Sequence, residues 1–177
     1  MRRAEVHARR NPEKAERSKN DMSEQEKSST YLVTHAEESS AVLTDVHGGQ
    51  VHTLSDNPGV EAGEVVEATV SPDPPMEVTY SVVEVTERYT VDVFASEEAP
   101  TQQARELAEG LPEGDLATAE RAGDGEIHVL AVPEDDTEEA VADIVDDQAT
   151  VERAARVGAN RVEVRSEPGL INVRYLP

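Results

Sequence analysis

The segment "DVHGGQVHTL", which begins at Asp45, holds the side chains of this sequence best suited to metal binding or proton transfer. Its Gly-Gly pair suits a two-residue type I′ turn, since both central residues of that turn need positive φ. Such a turn pairs Asp45 with His52 across the hairpin and leaves His47 two residues away on the same face. Carboxylate and imidazole groups bind zinc, and a neighbouring carboxylate raises the pKa of a histidine.

The same hairpin is also consistent with a purely structural role, which we favour. The predicted register puts Val42, Val46 and Val51 on one face, as a core side would require, and leaves the polar side chains outside. A zinc site needs a third or fourth protein ligand, and the hairpin does not offer one. If the first two strands pair, His35 lies beside Val42, roughly 15 Å from the Gly-Gly end. His128 alternates onto the face of Glu126, where we expect a partly covered structural histidine.

No other motif indicates catalysis. The pairs Asp135-Asp136 and Asp146-Asp147 could bind magnesium or calcium, but about a fifth of the residues are acidic, so such pairs arise from composition alone. The sequence has no G-x-S-x-G, G-x-G-x-x-G or P-loop motif. It has no cysteine either, so thiolate chemistry is excluded. We therefore expect no catalytic residues and no cofactor.

Charge is distributed unevenly along the 177 residues, whose formal net charge is -22. All three lysines lie within residues 1–27, whereas residues 28–177 carry eight arginines against 32 carboxylates. So much self-repulsion destabilises a fold in dilute buffer, but the Debye length is only about 3 Å at 1 M salt. The composition indicates a halophilic protein, and the absence of a signal peptide or long apolar run predicts a cytoplasmic one.

Residues 1–27 form a predicted disordered polar leader. Residues 1–21 carry seven basic and four acidic side chains and almost no apolar ones. This stretch is either a basic arm for nucleic acid or acidic membrane, or the product of a misassigned start, with Met22 as the true first residue. The composition after Met22 is uniform, which favours the second interpretation.

The rest of the sequence predicts an α+β fold in two domains. Five short strands joined by turn residues within 28–97 suggest a small antiparallel β-barrel of the OB or SH3 kind, whose last strand is "MEVTYSVVEVTERYTVDVF". Residues 98–177 predict the order α-β-β-α-α-β-β. In this second domain Thr101 caps a helix, Asp136 and Glu139 form a capping box, and Gly158 ends a helix.

The closing hairpin, "NRVEVRSEPGLINVRYLP", has a register that can be predicted in detail. A two-residue Pro-Gly loop pairs Val164 with Val173 and Val162 with Tyr175. The same register places Glu163 opposite Arg174 on the outer face, beside Arg165.

Four phrases together, "YLVTHAEESSAVLTDVHGGQVHTLSDNPG", "PPMEVTY", "GEIHVLAVP" and "VRYLP", resemble a family of small proteins from halophilic archaea that is catalogued as a domain of unknown function. The resemblance runs from about residue 30 to residue 177. It implies a halophilic source and no particular activity, cofactor or site. Members of that family start shortly before the "YLVTH" strand, which also favours Met22 as the first residue.

Two hypotheses for function follow. The first is a non-enzymatic intracellular binding or adaptor module whose partner is a protein or RNA, with neither a membrane nor DNA expected. The second is a small metal-dependent enzyme that uses Asp45, His47 and His52. The sequence does not predict the oligomeric state.

Folding is expected to depend on salt, because screening relieves the repulsion among the carboxylates. Circular dichroism and thermal melts at about 0.1 M and 3 M KCl check this expectation, since the Debye length changes severalfold over that range. An identical, fully folded spectrum at both concentrations would contradict the halophilic interpretation.

Overall fold

The fold is described here from a computed structural model, which covers residues 25–177. Residues 1–24 of the predicted leader, and with them the predicted start at Met22, lie outside this range, whereas Lys27 at the end of the predicted leader is already the first residue of a strand. Ten strands and three α-helices make up the described chain, and the α+β class predicted from the sequence is confirmed. None of its helices combines the length and the apolar composition that a membrane span requires.

The first five strands form one sheet that closes on itself in the order β1-β2-β3-β5-β4, here called the closed sheet. They are β1 (Lys27–Glu37), β2 (Ser40–Asp45), β3 (Val51–Leu54), β4 (Glu64–Pro72) and β5 (Tyr80–Thr90). The strand pairs are antiparallel, except for β3 with β5, which is parallel. Strand β1 pairs with β2 through its second half and with β4 through its first half. His35 lies opposite Val42, as predicted. Only one residue pair, Leu54 with Tyr80, joins β3 to β5 and completes the closure.

Side chains that alternate inward from these strands fill the closed sheet. Valine and leucine dominate, because β-branched and aliphatic side chains pack well on a pleated surface. The buried set is Tyr31, Val33, Ala41, Leu43, Leu54, Val60, Val66, Ala68 and Val70.

The remaining strands form a second five-stranded sheet in the order β6-β9-β10-β8-β7, here called the second sheet. They are β6 (Asp92–Ala95), β7 (Leu116–Glu120), β8 (Glu126–Ala131), β9 (Arg161–Glu167) and β10 (Leu170–Leu176). The β9-β10 hairpin has the predicted register throughout. Arg165 and Arg174 each donate to Glu163 at 2.7 Å, which confirms the predicted charge cluster.

Strand β6 corrects the sequence-based prediction, which made it the end of the last strand of the first domain. Strand β5 ends at Thr90, and Asp92–Ala95 pairs in parallel with β9 in the second sheet. Local alternation predicts a strand but not its partner, because the pairing depends on residues about 70 positions away.

Three helices cover the second sheet. They are α1 (Gln102–Ala108), α2 (Thr137–Asp146) and α3 (Gln148–Arg156), with a 3₁₀ turn at Glu134–Asp136 before α2. The Thr101 hydroxyl caps α1 as predicted, accepting from the Ala104 N–H at 3.2 Å. The capping box at Asp136 and Glu139 is wrong: Asp136 belongs to the 3₁₀ turn and makes no side-chain cap. Asp147 separates α2 from α3 and caps α3 through the Ala149 N–H.

Helix α3 also packs against the outside of the closed sheet. Leu32, Val46 and Val65 point away from the interior of the closed sheet and form a buried cluster with Ala155. The Arg156 Nε donates to the Val46 carbonyl at 2.6 Å. One helix therefore has apolar contacts with both sheets, and it ends before Gly158, whose φ of +73° is the expected helix stop.

Gly125, in the turn between β7 and β8, lies against the backbone of β10. A Cβ at this position would lie 2.2 Å from the Tyr175 carbonyl oxygen, and the φ of Gly125 is +110°. Gly123 in the same turn has a φ of +115° and open space around it. Gly125→Ala is expected to lower the free energy of unfolding by about 3 kcal/mol, through backbone strain plus overpacking.

The matched control is Gly123→Ala, which introduces the backbone strain of a positive φ without a steric clash. It is expected to lower the free energy of unfolding by about 1 kcal/mol. Denaturant unfolding of both variants in the same high-salt buffer gives the comparison. Equal losses would contradict the close approach to β10.

Candidate functional site

The hairpin that holds Asp45, His47 and His52 has a different register from the predicted one. Thr44 pairs with Val51 and Leu43 with His52, so the turn is a four-residue loop over 46–49 and not a Gly-Gly turn. Of the two glycines only Gly49 has positive φ.

The Asp45 side chain explains the longer loop. Its Oδ1 accepts from the backbone N–H groups of His47 at 2.9 Å and Gly48 at 3.1 Å, and from the Ser29 hydroxyl at 2.9 Å. Burial would raise the pKa of Asp45, but these hydrogen bonds outweigh it and hold the pKa below its usual value. The carboxylate is thus used to shape the loop.

His52 lies inside the closed sheet, on the face predicted to be polar and outward. Its side chain is fully buried, with edge-on ring contacts to Tyr31 at 5.5 Å and Tyr80 at 4.5 Å between centroids. Neither ring nitrogen makes a hydrogen bond within the described residues. Val51, predicted to face the core, is 58% exposed. The predicted and observed faces are reversed because His52 shares its face with Leu43 and Leu54. These two leucines bury more apolar surface than Val42 and Val51 would on the opposite face.

The three candidate metal ligands therefore do not converge. His52 points into the core, His47 is exposed on the loop, and Asp45 is bound to Ser29 and the loop backbone. Within residues 25–177, no group of three or more His, Asp or Glu side chains is arranged to hold a metal ion.

A second polar cluster lies at the edge of the helix layer, and the sequence predicted only part of it. Glu126 accepts from His128 Nε2 and from Arg153, both at 2.5 Å. The His128 ring packs against Tyr175 at 5.0 Å between centroids, and its side chain is 15% exposed. Burial would raise the pKa of Glu126, but the hydrogen bonds from His128 and Arg153 hold this pKa below its usual value. Strand alternation predicted the Glu126-His128 proximity, whereas Arg153 comes from α3 and had no local signal.

An open cleft of about 570 Å³, here called the polar cleft, crosses the outer face of β1, β4 and β5. Register places Ser28, Thr69 and Glu84 in one row across the three strands, and Thr30 beside Glu67 in the next. The Ser28 and Thr69 hydroxyls lie 2.6 Å apart. Neither Glu67 nor Glu84 forms an ion pair within the described chain, so the cleft presents two carboxylates among hydroxyl groups. The residues lining it are Ser28, Ser29, Thr30, His47, Glu67, Ala68, Thr69, Glu84 and Thr86.

The cations of residues 25–177, in contrast, all make contacts within the chain. Five arginines form ion pairs with glutamates, namely Arg88, Arg105, Arg153, Arg165 and Arg174. Arg121 and Arg156 donate to the backbone carbonyls of Asp124 and Val46, and Arg161 lies over the Phe94 ring. Lys27 donates to the Gln50 side chain at 2.8 Å. Among residues 25–177, therefore, each arginine and the single lysine has a partner within the chain.

A family model described as "Family of unknown function (DUF5812)" matches residues 27–166. The chain belongs to this family. The DUF5812 match begins at the first residue of β1 and ends within β9, so it includes both the hairpin at Asp45 and the polar cleft. No curated protein and no solved structure matches the chain. Membership in DUF5812 thus agrees with the resemblance to a domain of unknown function and adds no activity.

His52 is expected to make stability depend on pH. Burial, and then the nearby Lys27, lower its pKa below 6.5, so the unfolded chain takes up a proton at higher pH than the folded one. Stability is full above pH 6.5 and falls as the pH drops below it, by at most about 1.4 kcal/mol per pH unit for one proton. The carboxylates with lowered pKa affect stability only below about pH 4.5, so they do not contribute to the change near pH 6.

The test measures urea unfolding between pH 5 and 7.5 for the natural chain, His52→Phe and His47→Phe. His52→Phe is expected to flatten the dependence near pH 6, because no histidine then remains inside the closed sheet. His47→Phe removes an exposed histidine and should retain the dependence. The same slope in all three proteins would show that His52 does not titrate as described.

Proposed function

We propose that this protein is a non-enzymatic binding module whose partner is a protein. The proposal rests on one contrast within residues 25–177. Each arginine and the single lysine has a partner inside the fold, whereas carboxylates such as Glu67 and Glu84 form no ion pair. A module with 32 carboxylates and eight internally bound arginines over residues 28–177 suits a partner that brings positive charge with it.

The same contrast argues against RNA as the partner. Nucleic-acid affinity rests largely on Lys and Arg side chains that neutralise phosphates, and those of residues 25–177 each have a partner within the fold. Binding of single strands also needs exposed aromatic rings on which bases stack. Tyr31 is fully buried, Tyr80 packs on His52, and Phe94 lies under Arg161.

The polar cleft is the surface we assign to the partner. Glu67 and Glu84 accept charge-assisted hydrogen bonds from arginine or lysine side chains, and the hydroxyls of Thr30 and Thr69 add neutral ones. Direct hydrogen bonds persist at high salt, where long-range attraction between charges is screened. A partner segment with one or two basic side chains fits a cleft of this size and chemistry.

The alternative, a small metal-dependent enzyme, has no observation in its favour. It requires Asp45, His47 and His52 on one accessible face, and the three side chains point in different directions. In the polar cleft the Ser29 hydroxyl does contact a carboxylate, that of Asp45. The same Oδ1 also accepts from two backbone N–H groups and the pKa of Asp45 is held below its usual value, so it is a poor general base. The Glu126 cluster contains no serine, threonine or cysteine, which leaves the binding module as the better supported hypothesis.

Further proposals concern the fold type and setting. We regard the closed sheet as an OB-type barrel, since five strands in a non-sequential order, antiparallel except where β3 meets β5, are typical of that class. We propose two domains, with the boundary after Thr90 and not at residue 97, because β6 pairs in the second sheet. The acidic composition supports a halophilic, archaeal source and a salt-rich cytoplasm as the place of action.

The proposal is tested by capture of partners from a halophilic extract held at about 3 M KCl, to keep an acidic fold screened. The full chain is expected to retain a stoichiometric protein that survives nuclease treatment, as seen by mass spectrometry and absorbance. Glu67→Gln with Glu84→Gln is expected to reduce retention at least tenfold, because the two charge-assisted bonds are lost.

The matched control is Glu109→Gln with Glu113→Gln, which removes the same charge from an exposed segment after α1. That variant should retain the partner at the natural level. A partner that disappears with nuclease, or equal losses in the two double variants, would contradict the proposal. A chain beginning at Met22 separates any contribution of the basic residues 1–21.

A further inference from the structure

Strand β7 is an open edge of the second sheet. It pairs with β8 alone, and its other side has no neighbouring strand within the described chain. Leu116, Thr118 and Glu120 are exposed, with Leu116 at 52%. Exposed edges carry unpaired backbone groups that can pair with another strand.

The β7-β8 ladder shows which backbone groups point to the open side. At one end of the ladder the Arg121 N–H donates to the Gly125 carbonyl, and at the other the Ala131 N–H donates to the Asp115 carbonyl. Bonding positions alternate along an antiparallel strand, so the odd-numbered residues of β7 bond to β8. The N–H and C=O groups of Leu116, Thr118 and Glu120 therefore face outward. Consistent with this, Gln103 Nε2 donates to the outward Glu120 carbonyl at 3.1 Å.

The usual devices that protect an edge are missing from β7. The strand "LATAE" contains no lysine, no proline and no inward-pointing charge. Its charges lie at the ends: Asp115 precedes it, and Glu120 and Arg121 close it. This arrangement leaves the middle of the edge free for a second strand.

We propose that β7 pairs antiparallel with β7 of a second copy of this chain, about a two-fold axis at Thr118. In this register Thr118 faces its own copy and Leu116 faces Glu120. Each outward N–H then meets an outward C=O, and the Leu116 N–H of the second copy takes the place of Gln103 at the Glu120 carbonyl. Threonine pairs are favourable neighbours across strands.

Charge favours this register over the one with the two-fold axis at Glu120. A two-fold axis at Thr118 places Asp115 of each copy opposite Arg121 of the other, which gives two complementary pairs. An axis at Glu120 would place two carboxylates directly opposite each other, which is destabilising. Because the two copies are both strongly acidic, association is expected to strengthen with salt. This inference does not depend on the partner proposed for the polar cleft.

The absence of cysteine allows a direct test with a single introduced thiol. Opposite residues of a hydrogen-bonded antiparallel pair have Cα atoms about 5.5 Å apart, which lies within the range that a disulfide spans. Mild oxidation of Thr118→Cys in 3 M KCl is expected to yield a covalent dimer at least tenfold faster than oxidation of Val83→Cys. Val83 is also exposed, at 55%, and lies on β5 of the closed sheet, away from β7.

Light scattering on the natural chain and on Thr118→Pro completes the test. The Thr118 N–H faces outward, so proline there removes no bond of the fold, and the far-ultraviolet spectrum should be unchanged. The natural chain is expected to have twice the chain mass in 3 M KCl, and Thr118→Pro the mass of one chain. A monomeric natural chain, a dimeric Thr118→Pro, or equal oxidation rates for the two thiols would each overturn the proposal.

Discussion

The scarce positive charges hold the parts of this acidic fold together. Residues 28–177 offer eight arginines for 32 carboxylates, and several of these arginines lie where separate elements meet. Arg156 joins α3 to the loop after β2, Arg153 joins α3 to β8, and Arg105 joins α1 to Glu167 of β9. Exposed ion pairs contribute little individually. Their value here is that they bring cations to the contacts where carboxylates would otherwise repel one another.

Helix α3 shows how this constraint acts together with packing. Its apolar side belongs to the core of the second sheet through Ala154, while Ala155 contacts the outer residues of the closed sheet. Small side chains let the helix approach both sheets, and its arginines extend past them to polar partners. Because those arginines are bound within the fold, the described surface remains acidic. The same ion pairs and hydrogen bonds therefore stabilise the fold and favour a positively charged partner.

Features with a local cause were predictable from the sequence, and features set by distant residues were not. The register of the closing hairpin followed from Pro168-Gly169 and the alternation on either side of it. The loop at Asp45 did not, because its length depends on hydrogen bonds from a side chain that also needs Ser29 on another strand. The burial of His52 was not predicted for a related reason. An imidazole side chain is polar and was expected to face solvent, but Leu43 and Leu54 lie on the same face as His52 and determine that this face is buried.

RNA titration tests most directly whether the cations of the described surface, each of which has a partner within the chain, are unavailable to phosphate. Fluorescence anisotropy of a labelled single-stranded RNA of mixed sequence would be followed against the full chain and a chain beginning at Met22, from about 0.2 M to 3 M KCl, because phosphate contacts depend strongly on salt. The shorter chain is expected to show no saturable binding at any salt concentration. Saturable binding by the shorter chain, weakening steeply as salt increases, would show free cationic groups and contradict this expectation.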